Sequence, residues 1–101
     1  VPYSADDQYV YTPDEVEVLL LSGASQHLDH LDRLSDVERA FRWLRLEYPT
    51  GYQLVRAIIM GWTHQELAVK CKATPERIDH ELVLCYQRMA VWLNAEHKRH
   101  S

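Results

Sequence analysis

Gly61-Trp62-Thr63-His64-Gln65-Glu66-Leu67-Ala68 and, after a gap of three residues, Lys72-Ala73-Thr74-Pro75-Glu76-Arg77-Ile78 decide how this chain folds. Glycine is the natural stop of a preceding helix. Thr63 followed three residues later by Glu66 is the pattern of a capping box, which opens a short helix with Leu67 and Ala68 turned inward. Lys72-Ala73 makes a tight connection. Thr74 then caps a second helix, and Pro75 suits its first position because that residue needs no backbone donor. Ile78, Leu82, Cys85, Met89 and Trp92 or Leu93 recur at helical spacing and form its inward stripe. Two short helical openings across a tight turn predict a helix-turn-helix over residues 63–82, closed by a long last helix. Ala68 is small where the second helix has to cross closely.

Working outward from this stretch, the rest of the chain is also helical in pattern. Thr12-Pro13-Asp14-Glu15 repeats the same opening, with Val16, Leu19 and Leu20 on one face and Gly23 as the stop. Leu28, Leu31, Leu34, Val37, Phe41, Leu44 and Tyr48 are spaced three or four apart. Ser35-Asp36-Val37-Glu38 has capping-box spacing inside that stripe. It reads as one long helix or as two joined near Ser35, and the break is the preferred reading. Pro49 and Gly51 are expected to end it. Tyr52 to Met60 is a short apolar segment carried by Leu54, Val55, Ile58 and Ile59. No strictly alternating strand occurs. The expected fold is therefore all-α, a small helical domain of four or five helices. Residues 1–11 read as an extended arm laid on the body through Tyr3, Tyr9 and Tyr11. Residues 12–50 read as an acidic helical subdomain, 51–96 as the helix-turn-helix, and 97–101 as a frayed tail.

Composition excludes several classes. A chain of 101 residues with 47% apolar and 26% charged residues is one domain's worth of globular sequence. Three glycines and four prolines argue against a fold of many hairpins. No apolar run is long enough to span a membrane, and no signal-peptide pattern opens this sequence. Two cysteines form no disulfide framework, and a reducing cytoplasm is the expected location. His64, Cys71, His80 and Cys85 lack the tight ligand spacing of a zinc site. No metal or cofactor is implied. No Gly-rich phosphate loop, nucleophile elbow or H-E-x-x-H run occurs, so the chain is not expected to be an enzyme. His27 with Asp29 and His30 with Asp32 are two apart, a spacing whose side chains do not face each other on a helix.

Charge is divided unevenly over a net −4. Residues 1–50 carry ten carboxylates against four arginines; residues 51–101 carry five against seven bases. A polyanion is therefore expected to meet the second half. On the last helix, Thr74, Glu76, Arg77, Asp79 and His80 are expected to face a major groove. Arg77 suits a guanine edge, and Glu76 or Asp79 suits the amino group of cytosine. Lys70, Lys72 and Arg88 are expected to meet phosphates. Trp43 and Trp92 read as core or rim residues, and Trp62 as a staple for its loop. Arg39, Arg42 and Arg45, interspersed with Asp36, Glu38 and Glu47, read as a solvated, salt-bridged face.

Gly61 to Ala68 and Thr74 to Ile78 together resemble the helix-turn-helix of sigma factor region 4. That family has a glycine, a capping Ser or Thr, a Glu, an aliphatic residue and an Ala before a short turn and a second capping Ser or Thr. Tyr48-Pro49 and the apolar Leu54-Val55-Ile58-Ile59 resemble its upstream helix, so the likeness covers roughly residues 40–93. Similar sequences occur in phage late-gene regulators, some antitermination proteins, and small terminase subunits. The resemblance implies double-stranded DNA recognition by the last helix, and sometimes contact with RNA polymerase. It assigns Thr63, Glu66 and Ala68 as structural positions and Thr74, Glu76, Arg77 and His80 as groove-facing ones. Glu76, Asp79 and Glu81 depart from it, because carboxylates close to phosphates repel. They motivate a rival expectation, a protein-binding adaptor or inhibitor on the same scaffold. A DNA-packaging subunit is the third. A homodimer is an expected partner because helix-turn-helix proteins often read two half-sites.

Overall fold

The computed structural model describes residues 11–22 and 28–100. Five helices follow one another: α1 (Pro13–Ser22), α2 (Leu28–Glu47), α3 (Pro49–Ile59), α4 (His64–Cys71) and α5 (Pro75–His100). No strand occurs among the described residues. The protein is all-α. α5 has 26 residues, so it is about 39 Å long at the usual helical rise. It is the spine: each of the other four helices packs against it. Tyr3, Tyr9, Gly23 and His27 lie outside the described residues.

One core serves the whole bundle. Val16 and Leu19 come from α1, Val37, Ala40 and Leu44 from α2, and Val55 from α3. Leu67 and Ala68 come from α4. Along α5, Ile78, Leu82, Cys85, Tyr86, Met89, Ala90 and Leu93 are buried, the stripe expected from the spacing with Tyr86 and Ala90 added. Of the two candidates at its end, Leu93 is buried and Trp92 only partly so. Trp92 stacks on Trp43 with ring centroids 5.5 Å apart. Those two rings close the seam between α2 and α5.

α2 is one unbroken helix, contrary to the expected break at Ser35. The reason is visible in the side chains. Val37, Ala40 and Leu44 keep a continuous buried stripe, and no glycine or proline lies between residues 28 and 47. The Asp36 carboxylate is used elsewhere: it accepts from the Tyr11 hydroxyl at 2.9 Å and from Arg39 at 3.2 Å. Tyr11 is thereby fixed to the body. Its backbone N–H also donates to Asn94 Oδ1 at 2.7 Å, and Asn94 Nδ2 donates back to its carbonyl at 3.1 Å.

Pro49 and Gly51 do not simply end α2. Tyr48 alone separates α2 from α3, and Pro49 sits in the first turn of α3. Tyr48 leaves helical geometry, as a residue before proline tends to. Gly51 lies inside α3, against α5. A Cβ built there would fall 2.6 Å from Cys85 Sγ. The missing side chain is what lets the two helices approach. At the other end of the chain, the helical backbone of α5 continues to His100, into the stretch expected to fray.

Candidate nucleic-acid interface

The same device ends α3 and α4. Gly61 N–H bonds the Ile58 carbonyl and Trp62 N–H bonds the Ala57 carbonyl, both at 3.0 Å. Eleven residues later Lys72 N–H bonds Val69 at 3.3 Å and Ala73 N–H bonds Ala68 at 2.9 Å. Each pair is a Schellman turn, in which the residue after the helix adopts left-handed backbone geometry. Gly61 does so at φ 102° and Lys72 at φ 58°. Glycine takes that conformation freely; lysine does so at a cost.

Each turn is followed by a capping threonine. Thr63 Oγ1 accepts from Glu66 N–H at 3.1 Å, and Glu66 Oε1 accepts from Thr63 N–H at 2.9 Å. The expected capping box is complete. Thr74 Oγ1 accepts from Arg77 N–H at 3.1 Å. Arg77 therefore holds the place in α5 that Glu66 holds in α4. A glutamate there would turn back to the cap; the arginine points away. Its guanidinium meets Glu81 at 3.2 Å and remains 67% exposed.

Burial separates the faces of α5's opening turns. Ile78 and Leu82 are 2% exposed and pin the helix to the core. Thr74, Glu76, Arg77, Asp79 and His80 are exposed. Glu76 and His80 stand one turn apart, opposite the buried pair. Asp79 lies on the flank toward α4, where its carboxylate is 4.0 Å from His64 Nδ1. That contact becomes an ion pair once His64 is protonated. The described end of the arm, Tyr11, is bound at Asn94. By helical rise that is about 30 Å along α5 from Thr74.

The three expected phosphate ligands do not stand together. Lys70 and Lys72 are exposed on the last turn of α4 and the corner after it. The Lys70 ammonium lies 4.9 Å over the Trp62 ring. Arg88 is three turns further along α5 than Arg77, about 16 Å by helical rise. Its guanidinium lies 4.2 Å over the Tyr48 ring, in a cation–π contact. The Arg88 charge also faces the buried Cys85 thiol, whose pKa burial pushes up while Arg88 pulls it down.

Sequence reasoning undervalued Trp62. It is 38% exposed, and its ring carries the Lys70 ammonium. The aromatic residue directly before a capping threonine, with a lysine eight places on, is a signal only once the helix ends are known. Among the described residues, no three His, Cys, Asp or Glu side chains gather as a metal site needs. Comparison with protein-family models, with curated proteins and with solved structures finds no match for this chain.

Proposed function

We propose that this chain is a phage- or prophage-type transcription regulator that binds double-stranded DNA in the cytoplasm. Thr74 to Glu81 enter the major groove, and the protein acts with RNA polymerase or as a homodimer. The observation that carries the reading is the opening of α5: a capped, exposed first turn on a helix anchored by Ile78 and Leu82. Arg77, released from capping, is the side chain best suited to a guanine edge. Lys70 and Lys72, exposed at the end of α4 and the corner after it, meet phosphates. The sigma region 4 likeness of Gly61 to Ile78 supports the same reading and is the source of the phage and polymerase components.

The test is binding to duplex DNA, first by selection from random sequences and then as salt is varied. Affinity is expected to fall steeply as salt rises, because neutralised phosphates release counterions. Arg77→Ala is expected to weaken binding by about 1–3 kcal/mol and to relax preference at one base pair. A flat salt response, or no binding at about 50 mM salt, would remove direct DNA recognition.

A second reading has its own observation. Glu76 and Asp79 are exposed carboxylates on the same two turns. On a protein-binding adaptor they, rather than Arg77, carry the contact. Loss of RNA polymerase capture on Glu76→Gln with Asp79→Asn, with DNA binding absent, would select this reading.

A further inference from the structure

α3 and α4 leave a cleft of about 300 Å³ between them, in whose lining only Lys70 is shared with the DNA contacts proposed above. Its lining includes Leu54, Ala57, Met60, Trp62 and Leu67, all apolar. Among the described residues that line it, two are cations, Arg56 and Lys70, and none is a carboxylate or belongs to α5. Met60 is 64% exposed and Trp62 38%, so large apolar groups stand open to water at the cleft. Cys71, an exposed free thiol, lies at its edge.

We infer that this cleft binds an acidic peptide segment of another protein, anchored by one large apolar side chain. The chain as a whole carries net −4, whereas the charged side chains in the described lining of the cleft are both cations. A concave wall of low polarity focuses their field on whatever enters. The apolar anchor covers Met60, Leu54 and Trp62. The flanking carboxylates meet Arg56 and Lys70, and Lys70 has only to swing from the face of Trp62 to do so. A duplex would offer phosphates to the cations but nothing to cover the apolar floor. An uncharged segment would fill the floor and bring no carboxylate to either cation.

The experiment uses the full chain as bait for a random peptide library displayed on phage. Enriched peptides are expected to carry Asp or Glu on either side of a Leu, Phe or Trp. Their binding is expected to shield Cys71 from iodoacetamide and to weaken as salt rises. Met60→Asp is expected to weaken binding about tenfold or more, the loss typical of a buried anchor contact. Arg56→Glu is expected to weaken it several-fold and to flatten the salt dependence, with the thermal melt of both variants unchanged. Arg77→Ala is expected to leave peptide binding intact, and Met60→Asp to leave DNA binding intact, so that the two sites fail separately. The inference is overturned if enriched peptides are basic or uncharged. It is equally overturned if neither Met60→Asp nor Arg56→Glu weakens the peptides.

Discussion

Lys72 is where a single side chain opposes its own backbone. Its φ of 58° lies in the left-handed region, where a Cβ crowds the following carbonyl. The turn persists because the two Schellman hydrogen bonds and the Thr74 cap hold it from both sides. Lys72→Gly removes that strain and adds some entropy to the unfolded chain. The net expectation is a stabilisation of about 0.5–1 kcal/mol, read as a higher urea midpoint with unchanged slope. A lower midpoint would mean that the lysine makes a compensating contact. At Gly61, where φ is 102° and an added Cβ would meet open space, glycine is already the unstrained residue. Any other residue there is strained by its backbone, whatever room it has.

Among elements, α3 and α5 meet at a close approach. Gly51 and Cys85 touch with no space for a methyl group. Alanine is the better helix former by about 1 kcal/mol, but overpacking a buried contact costs about 1–3 kcal/mol. Gly51→Ala is therefore expected to destabilise the wild-type background. In a Cys85→Ala background the clash is gone, and the same change is expected to be neutral or stabilising. A double-mutant cycle by urea unfolding measures the difference, and additive effects would sink the account. The pair was not legible in the sequence. Gly51 after Pro49 reads as a stop, and only the meeting of two helix faces shows it as a close approach. The caps were legible, because Thr63 with Glu66 and Thr74 with Pro75 act within one turn of backbone. α2 was misread at Ser35 for the converse reason. The capping pattern there is local, and the buried stripe that overrides it is not.

At the scale of the whole molecule, α5 holds groups that the interior keeps neutral. Cys85 and Tyr86 are both buried, and burial raises both pKa values above the ordinary 9.0 and 10.0. Glu17 adds to the rise at Tyr86. The unfolded chain ionises these groups first, so their contribution to stability is fully present below about pH 9. It declines as pH climbs through the alkaline range toward their folded values. Chemical denaturation between pH 7 and 11 is expected to show that decline, and Tyr86→Phe is expected to flatten its upper part. The Tyr86 hydroxyl also has no hydrogen-bond partner among the described residues, so the phenylalanine variant is expected to be at least as stable at neutral pH. A loss of stability there would show that the hydroxyl is satisfied in solution.

Local chemistry in the chain was enough to specify an all-helical fold, the two capped openings and the apolar stripe of α5. Capping, helix stops and helical spacing act over a few residues, so they can be read without knowing what lies opposite. The exposure of Arg77 beside the buried Ile78 also follows from spacing alone. Which groups became neighbours was decided only on packing. Arg88 went to Tyr48, Lys70 to Trp62, Gly51 to Cys85, and a cleft with two cations opened between α3 and α4. These contacts join residues on different helices or different faces. Their energies depend on how the helices dock, and docking minimises exposed apolar area over the whole core rather than over any one stretch.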